Sequence, residues 1–123
     1  MDDGLHAGLT ERIIGAAMEV HRELRNGLDE KLYENALCIE FAEREIFFEQ
    51  QKTHIVFYKT KPIGKLVPDL IVDQVVIVDT KVVEAFNDAH ISQMLGYLKI
   101  TGLKVGLLLN FKHASLKVKR ITI

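Results

Sequence analysis

The sequence is poor in several features that would point to particular classes of protein. It contains one cysteine, two prolines, no glycine-rich phosphate loop and no apolar run near the roughly 18 residues of a membrane span. Cys38 cannot form an internal disulfide, and its position among helix-forming residues predicts a buried, small apolar side chain rather than a nucleophile. The amino terminus lacks the basic and apolar regions of a signal peptide, so we expect a cytoplasmic protein with no membrane partner.

Linkers, internal repeats and low-complexity segments are also missing. A chain of 123 residues that is 48% hydrophobic and 27% charged has the size and composition of one globular domain with its own core. We expect residues 1–8 to form a flexible N-terminal tail and residues 9–123 to form that domain.

Acidic residues are absent after Asp88, although the formal net charge of the chain is only −1. The carboxy-terminal third instead carries six basic residues: Lys99, Lys104, Lys112, Lys117, Lys119 and Arg120. Such asymmetry allows one face to attract phosphate although the whole molecule is nearly neutral. The alternative is a carboxy-terminal strand that simply exposes an alternating lysine face to water.

Apolar periodicity and capping residues predict three helices. The first begins at Thr10 as N-cap and ends at Asn26-Gly27, and the second follows from Leu28 or Asp29 to about Arg44-Glu45. The third is capped by Asp88, reaches about Ile100 and is closed by Thr101-Gly102. Extended runs are predicted within 46–58, from 63 to 72, from 75 to 82, from 104 to 111 and from 116 to 123.

Three charged residues, Asp69, Asp79 and Lys81, lie in two β-branched apolar runs. Only Asp73-Gln74 separates the two runs, which predicts a hairpin. Asp79 and Lys81 lie two apart on one strand and therefore share a face, and the hairpin can bring Asp69 close to Asp79. Two adjacent carboxylates repel each other unless a cation lies between them. The pattern favours a divalent metal site with a lysine at its edge, and the alternative is an exposed ion pair at a sheet edge.

Two further pairs of residues share helix faces. Glu30 and Tyr33 lie three apart near the start of the second helix, where an acidic residue is also favoured simply by the helix dipole. Gln93 and Tyr97 lie four apart on the third helix, and by themselves they favour an ordinary surface residue and a tyrosine at the core margin.

These motifs together resemble the small bacterial GxxExxY family of the PD-(D/E)XK nuclease superfamily. The superfamily pattern is Pro68-Asp69 followed by Asp79-Thr80-Lys81, and the name motif runs from Gly27 through Glu30 to Tyr33. The likeness covers roughly residues 9 to 122. The chain departs from the family at Asp79, where glutamate is usual, and at Arg25-Asn26, where Gly-Pro is usual.

The resemblance implies a restriction-endonuclease-like α/β (α+β) fold. A central, mixed five-stranded sheet is flanked by helices in the order α-α-β-β-β-α-β-β. It also implies a nuclease that uses Mg²⁺ or Mn²⁺ to hydrolyse phosphodiester bonds, with DNA as the expected partner.

The resemblance assigns a role to each candidate residue. Asp69, Asp79 and the Thr80 carbonyl would bind the metal, and Glu30 would be an outer ligand or support a second metal. Lys81 would orient the attacking water or stabilise negative charge. Gln93 and Tyr97 would contact the substrate. The charge asymmetry, rather than the resemblance, predicts that Lys99 and Lys119 of the basic region hold its phosphates.

Two other functions stay open. One is a module that keeps the fold and binds nucleic acid or a protein partner without catalysis, which is compatible with aspartate at position 79. The other is an assembly subunit whose apolar strands and helices form a homodimer interface.

Overall fold

The computed structural model describes residues 4–123, which form three helices and seven strands. In chain order these are α1 (Ala7–Leu24), α2 (Glu30–Glu43), β1 (Phe48–Gln50), β2 (His54–Tyr58), β3 (Lys61–Leu66), β4 (Leu70–Val72), β5 (Val76–Lys81), α3 (Asp88–Thr101), β6 (Val105–Asn110) and β7 (Lys117–Thr122).

Five strands form one mixed sheet in the order β1-β4-β5-β6-β7, and β2 pairs with β3 in a separate hairpin. Only the β5–β6 pair is parallel, because α3 crosses between these two strands. When the separate hairpin is set aside, the element order is α-α-β-β-β-α-β-β, so the predicted fold class is confirmed.

The run from Ile63 to Val72 is two strands and not the one strand that its apolar residues predict. β3 ends at Leu66 and belongs to the hairpin, whereas β4 begins at Leu70 and belongs to the main sheet. Pro68 lies in the connection, where its missing N–H interrupts no ladder of hydrogen bonds. The Asp73-Gln74 turn is confirmed, although Val72 pairs with Val76 and the loop therefore also includes Val75.

Helices cover both faces of the main sheet. Residues of α1 and α2 pack with Val76, Val78 and Leu107 on one face, and α3 packs through Met94 and Leu98 on the other. β5 and β6 lie between the two layers, and all six residues of β6 are buried. The alternation along β5 therefore directs Asp79 and Lys81, together with Ile77, toward the α3 face.

Several helix ends differ from the sequence prediction. α1 begins at Ala7, so Thr10 is not its N-cap, and the Thr10 hydroxyl instead donates to the Ala7 carbonyl at 3.1 Å. Residues 7 and 8 of the predicted tail are thus helical, and residues 1–3 lie outside the described residues. α3 is capped by Asn87 rather than Asp88, because the Asn87 side chain accepts a hydrogen bond from the backbone N–H of His90 at 2.9 Å.

Among residues 4–123, no helix combines the length and the apolar character that crossing a membrane requires. Cys38 is half-buried on α2, and burial raises the pKa of its thiol to about 11. The thiol therefore keeps its proton at neutral pH, as expected for a residue that is not a nucleophile.

Candidate metal centre

The register of the β4–β5 hairpin brings Asp69 and Asp79 together. Leu70 pairs with Val78, so the next position in the same register places Asp69 opposite Asp79. The backbone N–H of Asp69 donates to Oδ1 of Asp79 at 3.3 Å. Two carboxylate side chains thus lie at the end of the hairpin remote from its turn.

The carboxylate of Asp69 bonds to the end of β5 on the side that β4 does not reach, whereas β6 pairs with the other side. β4 begins only at Leu70, and Oδ2 of Asp69 accepts hydrogen bonds from Thr80 instead: from its backbone N–H at 3.0 Å and its hydroxyl at 3.3 Å. The carbonyl of Lys81 accepts from Phe111 N–H on the opposite side of β5. Because backbone groups alternate sides along a strand, the Thr80 carbonyl faces the Asp69 side.

Asp79 is 3% exposed, and its pKa is raised to about 7. Burial is the main cause, and the negative charge of Asp69 adds to it. The ammonium group of Lys81, whose Nζ lies 3.8 Å from Oδ2 of Asp79, lowers this pKa without cancelling the rise. The pKa of the half-buried Asp69 is also raised, again mainly by burial.

Lys81 and α3 close one side of the acid pair. Lys81 Nζ donates to Oε1 of Gln93 at 3.4 Å. Burial raises the pKa of Tyr97 to about 12, and the charges of Asp79 and Asp69 contribute to that rise. Gln93 therefore contacts Lys81, and Tyr97 lies close enough to both carboxylates for their charges to raise the pKa of its hydroxyl.

Glu30 is the first residue of α2 and lies near the same group of residues. Partial burial of its carboxyl raises its pKa; Lys81 and the backbone N–H of Val82 oppose the rise, while Asp69 adds to it. Glu30 does not complete a ready-made ligand set, however. Within residues 4–123, no three histidine, cysteine, aspartate or glutamate side chains are arranged to hold one metal ion together.

Tyr33 of the name motif has a structural role in placing Glu30. Its hydroxyl donates to the Arg25 carbonyl at 2.5 Å and accepts from the Leu28 N–H at 3.2 Å, while its ring stacks on Phe111 at 4.5 Å between centroids. Gly27 has a φ of 113°, a conformation that only glycine adopts freely. The tyrosine and the glycine thus fix the connection that ends where Glu30 begins α2.

Glu34 and Gln51 also border the site, and no sequence motif predicts either of them there. Glu34 is 3% exposed and accepts hydrogen bonds from Gln50 Nε2 at 2.8 Å, Gln51 Nε2 at 2.9 Å and Lys31 Nζ at 3.2 Å. Gln51 Nε2 also lies 3.5 Å from Oδ1 of Asp69. The only sequence signal was the spacing of four residues that puts Glu34 on the helix face of Glu30.

The two predicted phosphate-binding lysines do not meet at the acid pair. Lys99 lies two residues beyond Tyr97 and is therefore about 200° around α3 from it. Lys119 lies on β7 opposite Leu108, which is itself opposite Asp79, so one strand separates it from β5. Both side chains are exposed.

The donor atoms of this site suit a hard divalent cation. Two carboxylates and the Thr80 carbonyl are oxygen donors, which Mg²⁺ and Mn²⁺ prefer. Among the described residues, Oδ2 of Asp79 accepts no hydrogen bond and lies 3.8 Å from the Lys81 ammonium, so it is available to a ligand. A cation here would also relieve the repulsion that helps to keep Asp79 protonated up to about pH 7.

One family model matches nearly the whole chain. It describes the PD-(D/E)XK nuclease superfamily and covers residues 7–121. No curated protein and no solved structure matched the chain.

Proposed function

Since the chain belongs to the PD-(D/E)XK nuclease superfamily, we propose that it hydrolyses phosphodiester bonds in nucleic acid with a divalent cation. The observation that carries the proposal is the juxtaposition of Asp69, the buried Asp79 and Lys81 at one end of β5. Nucleases of this superfamily generally use divalent metal ions. We propose Mg²⁺ or Mn²⁺ as the ion and DNA as the substrate.

Asp69, Asp79 and the Thr80 carbonyl would hold the cation. When bound, it supplies a Lewis acid that lowers the pKa of a water molecule and offsets negative charge on the reacting phosphate. Glu30 lies close enough to influence this group electrostatically, and we assign it the role of an outer ligand, bonded through water.

Lys81 is the residue that we propose acts directly on the reacting groups. Its ammonium lies at the edge of the carboxylate pair, where it can orient the attacking water or stabilise negative charge in the transition state. Gln93 holds that ammonium through a hydrogen bond, and Tyr97 offers its hydroxyl beside the same carboxylates. We propose that Gln93 and Tyr97 contact the substrate backbone.

The chain's aspartate at position 79 changes the reach of the site. Its side chain is one methylene shorter than the glutamate usual in the GxxExxY family, so either the metal or the backbone would have to shift for Asp79 to serve as a ligand. Membership of that smaller family stays a prediction, carried by Gly27, Glu30 and Tyr33.

A second candidate is a module that binds nucleic acid without cutting it. The observations that favour it are aspartate at position 79 and the ligand set, since no three histidine, cysteine, aspartate or glutamate side chains within residues 4–123 are arranged to hold one ion. Binding that persists in a chelator, with no cleavage in any divalent metal, would support this candidate over the nuclease.

Cleavage assays with matched variants distinguish the two. Single-stranded and duplex DNA and RNA are incubated with wild-type protein, Asp69→Asn and Lys81→Met in Mg²⁺ or Mn²⁺. Asp73→Asn is the control, because it makes the same chemical change at the exposed turn of the same hairpin. The nuclease proposal expects cleavage by wild type and by the control only, and equal cleavage by all four proteins contradicts it.

A further inference from the structure

The hairpin of β2 and β3 stands apart from the main sheet. In the described part of the chain, its two strands pair only with each other, from His54–Leu66 at the base to Tyr58–Lys61 at the tip. Ile63 is an extra residue on β3, because Val56 pairs with Gly64 and Phe57 pairs with Pro62. This β-bulge shifts the register near the middle of the hairpin. An isolated two-stranded hairpin is marginally stable by itself, so this one is a candidate for contact with a partner.

Large apolar side chains on this hairpin are open to solvent. Ile55, Phe57, Tyr58 and Ile63 are between 51% and 66% exposed. Ile55 and Phe57 lie two apart on β2 and so share one face, while the side chains of His54 and Val56, on the other face, are half-buried. Clustered exposed apolar groups of this kind mark interaction sites.

The charge of the same segment indicates what kind of partner it fits. Residues 50–68 contain four lysines and no aspartate or glutamate, although the whole chain has a net charge of −1. Lys59, Lys61 and Lys65 are exposed, and none of the ion pairs found within residues 4–123 includes them. The Lys59 ammonium lies 5.4 Å from the centre of the Tyr58 ring, so charge and aromatic surface occur together at the tip.

Both ends of the hairpin are fixed beside the acid pair. The backbone N–H of Gln51 donates to the Asp69 carbonyl at 2.9 Å, and these two residues flank the whole excursion. β2 begins at His54 and β3 ends at Leu66, three residues from each anchor. A strand of five or six residues reaches roughly 17–20 Å, so a polymer bound at Asp69 and Asp79 passes within reach of the hairpin.

We propose that this hairpin binds an unpaired stretch of nucleic-acid strand next to the acid pair. Phe57 stacks on a base at one face of β2, Tyr58 stacks on a base at the opposite face near the tip, and Lys59, Lys61 and Lys65 contact phosphates. The proposal rests on the proposed function, because it names the form of substrate that the site receives. Unpaired bases fit better than a duplex, since base faces are free to stack on aromatic rings only where the strand is unpaired.

The test is fluorescence anisotropy in EDTA, so that binding is measured without cleavage. A labelled single strand and the matching duplex are titrated with wild-type protein, Phe57→Ala and the triple variant Lys59→Gln, Lys61→Gln, Lys65→Gln. The controls are Ile39→Ala on α2, at a side chain 63% exposed, and Arg12→Gln at an exposed charge of α1. Circular dichroism checks that each variant is folded.

We expect wild type to bind the single strand more tightly than the duplex. Loss of one stacking ring should weaken single-strand binding by roughly five- to a hundredfold. Loss of three phosphate contacts should lower the slope of log K against log salt by about 2. The two controls should bind as wild type does.

Three results would overturn the hairpin proposal, and they are distinguishable. If wild type binds or cuts nucleic acid and both hairpin variants do so equally well, the hairpin proposal alone is overturned. If sedimentation shows that Phe57→Ala changes a dimer into a monomer while binding of the strand is unchanged, the hairpin instead forms a contact between two copies of the chain. Wild type that neither binds nor cuts any nucleic acid overturns the proposed function as well.

Discussion

The backbone N–H of Asp69 donates a hydrogen bond to Oδ1 of Asp79 at 3.3 Å, so the two acids meet on adjacent antiparallel strands. The arrangement places a half-buried carboxylate beside a fully buried one. Such a pair is costly for the apo protein, since desolvation and mutual repulsion both disfavour the doubly charged state.

Replacing Asp79 with asparagine should stabilise the metal-free protein at high pH. The folded-state pKa of about 7 lies above the ordinary carboxyl value of 3.8, so protonation of Asp79 contributes stability at low pH that is lost as pH rises toward 7. The asparagine in Asp79→Asn has no carboxyl proton to lose, so the variant keeps this stability as pH rises. Its side-chain oxygen still accepts a hydrogen bond from the Asp69 N–H. Its advantage over wild type should therefore grow between pH 4 and pH 7, by a few kcal/mol at most.

Urea unfolding in EDTA across this pH range measures the effect. Asp73→Asn is the control, because Asp73 is exposed in the turn and its replacement should give no such trend. A stability difference between Asp79→Asn and wild type that is the same at pH 5 and pH 8 would contradict the assignment of a raised pKa.

Replacing Lys81 with methionine should abolish most cleavage while keeping the fold. Removing a positive charge that acts on the transition state typically costs about 10²- to 10³-fold in rate. The substitution should also raise the pKa of Asp79 further, because Lys81 is the charge that lowers it. Initial rates against pH show both effects, and a variant with wild-type rates at every pH would exclude a role for Lys81.

Gln51 should position Asp69, and Gln50 should not. Both amides bond to Glu34, but only Gln51 also approaches Asp69. Each change to leucine should cost about 1 kcal/mol of stability through a lost hydrogen bond to Glu34. Gln51→Leu should in addition lower metal-dependent cleavage about 10- to 100-fold. Equal cleavage by the two variants would show that the contact to Asp69 has no functional role.

Tyr33→Phe should destabilise the protein by about 1–3 kcal/mol, because the hydroxyl bonds two backbone groups in a partly buried place. Since those bonds fix the connection before α2, the same variant should also lower cleavage by displacing Glu30. Thermal unfolding and cleavage rates are measured together. A destabilised variant that cleaves at the wild-type rate would show that the Tyr33 hydroxyl does not place Glu30.

The strand residues of the site could be predicted because charged side chains are costly inside apolar strands unless they have partners. Asp69, Asp79 and Lys81 lie inside β-branched runs, and strand alternation together with a short turn brings them together. Helical spacing put Gln93 and Tyr97 on one stripe of α3 without favouring a functional site, and the family resemblance assigned them to it. The sequence thus predicted the groups whose neighbours lie on one strand, one hairpin or one helix.

The features that were missed depend on contacts between distant parts of the chain. Glu34 carries no signal by itself, and it meets Gln51 only because β1 packs beside α2. The separate hairpin was hidden because Ile63 to Val72 is apolar on both sides of Pro68, and period-2 patterns do not say which sheet a strand joins. Thr10 was misplaced because a residue typical of an N-cap also fits inside a helix when its hydroxyl bonds to the preceding turn.

Isothermal titration of the protein with Mn²⁺ and Mg²⁺ at pH 8 tests the central claim most directly. Wild type and Asp73→Asn should bind one cation, with an affinity that falls as pH drops through about 7 and Asp79 takes up its proton. Asp69→Asn and Asp79→Asn should not bind it. Equal binding by all four proteins, or no binding by wild type, would contradict a metal centre built on Asp69 and Asp79.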